Sequence, residues 1–331
     1  MWNIIGHQWA VRLLSAGLVD GRLSHAYLFT GPPGVGKTTL ALNFAQAIVC
    51  EGSQPPCQVC GPCQKVARLT HPDVRLVEAD GATFRIGQVR ELEREAALAP
   101  HSARHRVYIL AETERMSREA ANALLKTLEE PPEPVVLILV ASDAALLPPT
   151  IVSRCQSLDL RPVPLRELAQ ALVEREGADP AQAELLARVS SGRPGWAIAA
   201  LRDPALMESR NRNLDDLQRL VGSDLVERWE WVAKAPGDRR ALREVLDLWI
   251  AWWRDVLLVA AGQPDKIANL DRREMLAAVA SWCSADSVRA FLAQALRTVQ
   301  SLAQNVNARL ALEVLTMDMP TGPAREQDQR E

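Results

Sequence analysis

The chain has 331 residues, more than one small core accommodates, so two or three domains are expected. Charged residues make up 24% and hydrophobic residues 48%, the balance of a soluble globular protein and not of a disordered or membrane-embedded one. A formal net charge of −3 argues against a chain that grips nucleic acid over a wide surface by itself.

The start, Met1-Trp2-Asn3-Ile4-Ile5-Gly6-His7, lacks the basic region and long apolar run of a signal peptide. No apolar stretch reaches the roughly 20 residues that a membrane helix needs. A cytoplasmic location without membrane contact is the expectation, and cysteines there stay reduced.

Residues 1–162 alternate apolar, strand-like runs with helical patterns, as an α/β domain with a mostly parallel sheet and flanking helices requires. The first strand is predicted over Ala26–Thr30. It runs into Gly31-Pro32-Pro33-Gly34-Val35-Gly36-Lys37-Thr38, a full match to G-x-x-x-x-G-K-[ST], and a helix is predicted over Lys37–Val49. Strand, glycine loop and helix are the context in which this motif cradles phosphate. Gly31, Gly34 and Gly36 let backbone N–H groups turn inward, and the helix N-terminus adds partial positive charge. Lys37 reaches the outer phosphates and the Thr38 hydroxyl ligates Mg²⁺, with Thr39 beside it in the candidate ATP/Mg²⁺ set.

Cys50, Cys57, Cys60 and Cys63 follow at once, spaced C-x6-C-x2-C-x2-C. Four thiolates this close can enclose Zn²⁺ in a tetrahedron, with Gly52, Pro55, Pro56, Gly61 and Pro62 supplying turns between them. All four positions are filled by protein, so an insertion over about 50–63 with a structural, non-catalytic zinc is expected. Four unmetallated thiols and an iron–sulfur cluster are the alternatives. Cys155 and Cys283 read as small apolar residues.

Strands are predicted over Val74–Val77, Val107–Ala111, Val135–Ala141 and Gln156–Leu160, and helices over Ile86–Leu98 and Arg118–Glu130, the latter capped by Ser117 and stopped by Pro131-Pro132. The strand over 107–111 ends where a phosphate-hydrolysing site needs an acidic pair. Position 111 is alanine, which cannot hold Mg²⁺. Glu112 remains to polarise a water, and Glu114 lies two positions on, in the loop. The expectation is a good phosphate cradle with a damaged hydrolytic partner.

Beyond Pro164 the strand pattern ends. Helices are predicted over Leu165–Glu176 and Pro180–Val189, and a third begins near Trp196. From about Ser209 to Thr316 every segment is helix-like, and that region holds six of the nine tryptophans. The residues after Pro320 are polar.

Taken in order, Ser24-His25-Ala26-Tyr27-Leu28-Phe29 into the glycine loop, the four-cysteine insertion, the run Ala120-Ala121-Asn122-Ala123-Leu124-Leu125-Lys126-Thr127-Leu128-Glu129-Glu130-Pro131-Pro132, and Ser153-Arg154-Cys155 resemble the bacterial clamp-loader subunits of DNA polymerase III, of the AAA+ class. Trp252-Trp253-Arg254-Asp255 and Asn305-Val306-Asn307-Ala308-Arg309-Leu310 are similar more loosely. The resemblance implies a nucleotide domain over 1–162, a small helical lid over 163–206, an all-α collar over 207–319 that joins five subunits in a ring, and a flexible tail over 320–331. It implies the gamma/tau and delta subunits and the sliding clamp as partners, and primed DNA reached through the assembled complex.

Two branches share these motifs: the gamma/tau motor and a stator. Ala111 breaks the motor's acidic pair, and Gly192-Arg193-Pro194-Gly195-Trp196 puts Gly195 where the motor has a nucleotide-sensing arginine. The chain also stops near the end of its collar, and its Trp252-Trp253-Arg254-Asp255 is similar to the stator collar. All four favour the stator. The intact glycine loop departs from stators that have lost it and keeps nucleotide binding open. The resemblance further implies that Arg154 is a finger that projects toward the nucleotide of a neighbouring subunit, where a planar, permanently charged guanidinium meets developing phosphate charge. Ser142 senses the γ-phosphate of its own site or caps a turn. Ile4-Ile5-Gly6-His7-Gln8 lines the adenine, and the tryptophans of the C-terminal part are read as subunit contacts. The alternatives are a motor ATPase of the same family, or a zinc-dependent nucleic-acid binder with a vestigial loop.

Overall fold

A computed structural model describes residues 2–81, 83–303 and 306–321. The tail from residue 322 on, and Asn305, lie outside the described residues. The chain divides into two compact units, Met1–Gly177 with Gly192–Trp196, and Ala178–Ser191 with Ala197–Glu331, so residues 163–206 contribute to both.

The first unit is built on five parallel strands, β1 (Ala26–Thr30), β2 (Val74–Val77), β3 (Arg106–Leu110), β4 (Val135–Val140) and β5 (Gln156–Asp159), in the order β2-β3-β4-β1-β5. The central strands β1 and β4 are buried along their whole length, which is why they read as unbroken apolar runs. Their side chains alternate between two cores. Tyr27, Phe29, Ile109, Ile138 and Val140 face α1 (Gln8–Val19) and α2 (Lys37–Ile48). A short α3 (Gly61–Ala67) joins that face through Val66. On the other face Leu28, Tyr108, Leu110, Leu137 and Leu139 meet α4 (Ile86–Ala96) and α5 (Arg118–Glu129). The Ser117 hydroxyl accepts the Ala120 N–H at 3.1 Å and starts α5 as its sequence foretells. The one-turn α6 (Pro149–Val152) precedes β5. The order of the sheet puts β1 between β4 and β5, and the chain leaving β1 emerges at that switch in strand order.

Helices α7 (Leu165–Glu176), α8 (Pro180–Val189) and α9 (Pro194–Arg202) follow. The second unit is helical among the described residues, with α10 (Pro204–Val221), α11 (Leu225–Lys234), α12 (Arg239–Ala260), α13 (Arg273–Trp282), α14 (Ala285–Ala303) and α15 (Ala308–Met317). Its core corrects the reading of the tryptophans as subunit contacts for three of the six, whereas Trp229 is 44% exposed. Trp249, Trp252 and Trp253 of α12 are at most 2% exposed, and Trp253 packs on Phe291 of α14 with ring centroids 5.2 Å apart. Three large indoles on one helix are the apolar payload that organises this unit, not a surface offered to a partner. The adjoining Asp255 is buried too. It accepts the N–H groups of Ala268 and Asn269, each at 2.8 Å, and pairs with Arg254. The Trp-Trp-Arg-Asp run is therefore a core and loop-capping motif.

Asp73, buried before β2, plays the same part in the first unit. It accepts the N–H groups of His101, Ser102 and Ala103 at 2.6, 2.8 and 2.9 Å. Burial pushes its carboxyl up, but these donors outweigh burial and hold it at about 2, below the ordinary 3.8. With the folded value below the unfolded one, the stabilisation is present above about pH 4 and is lost as pH falls toward 2. Asp73→Asn is expected to cost about 1–3 kcal/mol at neutral pH. In melts followed by circular dichroism, the gap between variant and parent should close on acidification through that window.

Candidate functional site

The glycine loop leaves β1 with three glycines in left-handed backbone: Gly31 at φ 134°, Gly34 at φ 78° and Gly36 at φ 110°. Gly31 carries the strictest demand, because a Cβ there would lie 2.1 Å from the Leu160 carbonyl oxygen. Its N–H donates to the Ser142 carbonyl at 3.3 Å, so the loop is tied to the chain leaving β4 as well as to that leaving β5. On its outer side the Gly195 N–H donates to the Gly34 carbonyl at 2.7 Å. A Cβ at Gly195 would stand 3.0 Å from that oxygen, so backbone packs on backbone at this point.

Lys37, Thr38 and Thr39 open α2. The Lys37 ammonium donates to the carbonyls of Gly31 and Pro32, which sets it over the concave side of the loop. Burial lowers its pKa, and the carboxylates of Glu114 and then Glu112 oppose that shift. The N-terminal segment lies beside the loop. His7 Nε2 donates to the Val35 carbonyl at 2.9 Å, and a Cβ on Gly36 would lie 3.9 Å from Ile4 Cδ1. Arg175 of α7 donates to the Ile4 carbonyl at 2.9 Å. A cleft of about 620 Å³ next to this segment is lined by His7, Gln8, Arg12, Asp159, Arg161 and Pro164, among others.

At the end of β3 Ala111 is 7% exposed and offers no carboxylate. Glu112 is exposed, in left-handed backbone, and pairs with Arg115. Glu114, not Glu112, touches the site's frame: its Oε1 accepts the Ser142 N–H at 3.1 Å.

The four cysteine sulfurs lie within 4.8 Å of one another, with Cys50 and Cys60 Sγ 4.0 Å apart. Sulfurs on a tetrahedron of roughly 2.3 Å bonds stand about 3.8 Å apart, so this donor set fits a four-coordinate metal ion. The N–H groups of Gly52 and Cys57 point at Cys50 Sγ, and that of Cys60 at Cys57 Sγ, at 3.3–3.4 Å. The Cys60 N–H is the largest of the influences that pull the Cys57 thiol down to about 6, whereas burial pushes Cys63 up. Side-chain amides that no spacing rule would single out tie this knuckle to α2. Gln58 Nε2 donates to Asn43 Oδ1 and Gln46 Oε1 at 3.2 and 3.1 Å, and Gln46 Nε2 donates to the Cys63 carbonyl at 2.9 Å. Asn43 in turn donates to the Thr39 carbonyl at 2.9 Å.

Arg154 stands at the end of α6. Next to it Cys155 packs on the apolar core, and burial pushes its thiol up to about 12. The Arg154 guanidinium is 35% exposed and donates to the Thr150 carbonyl at 2.9 Å and to Glu129 of α5 at 2.7 Å. None of its hydrogen bonds goes to the glycine loop of its own chain.

A parallel sheet in this order, with the G-x-x-x-x-G-K-[ST] loop leaving β1 and opening α2, defines a P-loop protein of the AAA+ class. The family model described as "DNA polymerase III, delta subunit" matches residues 6–164. Subunit delta' of DNA polymerase III from Bacillus subtilis is 30% identical over 319 residues, covering 94% of this chain and 95% of that one. Subunit tau from Escherichia coli is 36% identical over 198 residues, covering 57% of this chain and 30% of tau. A gamma subunit-related protein from Thermotoga maritima has a TM-score of 0.46 at 20% identity, covering 93% of this chain and 98% of that one. The chain belongs to the delta-prime family of DNA polymerase III clamp-loader subunits.

Gly31→Ala places a Cβ against the Leu160 carbonyl in a disfavoured backbone, and is expected to destabilise the first unit by at least about 1–3 kcal/mol. Gly87→Ala, inside α4 with nothing within 4 Å of its new Cβ, should instead stabilise it by about 0.5–1 kcal/mol. Urea unfolding of the two variants checks the pair.

Proposed function

We propose that the chain is the stator of a DNA polymerase III clamp loader. It binds ATP with Mg²⁺ without efficient turnover and lends Arg154 to the nucleotide of a neighbouring subunit. The observation that carries this is the mismatch within one site: a phosphate loop braced on all sides, and Ala111 where a metal-holding carboxylate is needed. Lys37 and the loop amides bind phosphate and Thr38 contributes a hydroxyl. Ser142, tied to Gly31, stands where a γ-phosphate is read, and the segment 4–8 borders the base.

Arg154 acts outward. Cys155 anchors its turn in the core, the Thr150 carbonyl fixes one arm of the guanidinium, and the planar fork stays partly exposed for a phosphate. Supplying this charge from next door makes hydrolysis depend on assembly. The partners are gamma/tau and delta, with the sliding clamp and primed DNA engaged through the whole complex, in the cytoplasm. No helix among the described residues is long and apolar enough to cross a membrane. The four cysteines hold one structural Zn²⁺, which fixes the insertion against α2 and takes no part in chemistry. A closed four-thiolate site contributes about 10–16 kcal/mol of apparent binding energy to local folding.

Arg154→Ala is expected to slow ATP hydrolysis in the reconstituted loader, the site it serves losing on the order of 10³-fold or more, without changing subunit stoichiometry. Arg154→Lys should not restore the rate, because it keeps the charge and loses the fork. Unchanged steady-state turnover in both variants would contradict the finger role. Elemental analysis of the purified chain is expected to give one zinc per polypeptide, and finding iron or no metal contradicts the structural-zinc assignment.

A further inference from the structure

The two carboxylates after β3 are treated differently. Glu112 is exposed and committed to Arg115. Glu114 lies in the short turn Thr113–Arg115, which is pinned inward because the buried Thr113 hydroxyl donates to the Val140 carbonyl at 3.1 Å. One Glu114 oxygen accepts the Ser142 N–H. The Ser142 carbonyl accepts the Gly31 N–H, and the Gly31 carbonyl accepts the Lys37 ammonium. The carboxylate is thus linked through two residues to the lysine of the phosphate loop. Its influence on Lys37 exceeds that of Glu112. The other oxygen, Oε2, is buried and has no hydrogen-bond partner. A buried carboxylate oxygen without a donor is costly and suited to a cation. The Lys37 ammonium, which donates to two loop carbonyls, makes no hydrogen bond to it.

We propose that Glu114 supplies the carboxylate that Ala111 lacks, with Oε2 directed at the hydrated magnesium ion of a bound nucleoside triphosphate and Oε1 holding Ser142. This rests on the reading of the glycine loop as a nucleotide site. Magnesium keeps several of its waters and needs few protein ligands, so a longer side chain two positions along can serve through a water. The assignment is consistent with the proposed binding without turnover. Glu114 is occupied by the metal and by Ser142, and Glu112 by Arg115, which leaves no carboxylate free to activate a water.

The test is equilibrium titration of the full chain with a fluorescent ATP analogue, with magnesium and with EDTA. Magnesium is expected to tighten binding by about tenfold or more in the parent protein. Glu114→Gln should bring the two affinities together, Glu112→Gln should keep them apart, and adding Ala111→Asp to Glu114→Gln should restore the difference. A magnesium effect that survives Glu114→Gln, or that vanishes in Glu112→Gln, overturns the proposal. If Glu114→Gln does not fold, Glu114→Asp takes its place, and there a magnesium effect equal to the parent's overturns it. No binding of the probe by the parent in either condition overturns the nucleotide reading itself, and this proposal with it. Binding that is abolished by Lys37→Ala but indifferent to magnesium in the parent leaves that reading standing and removes only the role of Glu114.

Discussion

The phosphate loop is held by backbone pressed against backbone. Gly31 runs so close to the Leu160 carbonyl that no side chain fits between them. Its amide is spent on Ser142, and Gly195 closes on the far side of Gly34. These contacts set the loop across the carboxyl ends of β1, β4 and β5, where the strand order switches and a ligand can enter. Lys37, Ser142 and the 4–8 segment take their places from that arrangement.

Against so exacting a cradle, the acidic side is depleted. Ala111 is nearly buried, Glu112 turns to Arg115, and Glu114 is drawn in through Ser142. On the proposed reading, a chain with this phosphate loop and no carboxylate at position 111 keeps nucleotide as a structural element, and the partly exposed Arg154 then acts on phosphate held by another chain. The cysteine knuckle belongs to the same economy of fixed parts, since Gln58, Gln46 and Asn43 fasten it to the helix that begins at the phosphate loop.

Much of this was legible before any coordinates. The five strands fall within one residue of their expected ends, and for β1, β3 and β4 this is because parallel strands covered on both faces leave continuous apolar runs. α7 and α8 match their expected bounds, since Gly177 and Pro180 punctuate them. The glycine loop and the four cysteines were readable because their spacing is itself the chemistry. Other features were not. α1 begins directly at the apolar turn that ends in His7 and carries no side-chain cap to announce it. Gly61 and Pro62 were read as turn formers, yet they open α3, where proline suits the first turn. The aim of Glu114 depends on a short turn pinned by Thr113, and the pairing of Arg154 with Glu129 spans 25 positions of chain, so neither leaves a local signature. The tryptophans of α12 read as subunit contacts but are buried in their own unit, because helical spacing alone cannot tell a helix's own core from a partner's.

The central claim, that this chain grips nucleotide and does not spend it, is tested most directly by incubating the isolated protein with ATP and magnesium and then identifying the bound nucleotide by chromatography. The account predicts that intact triphosphate remains bound over many minutes, with little diphosphate formed. Rapid conversion to ADP by the lone chain, lost in Lys37→Ala, would contradict it and make the chain a motor in its own right.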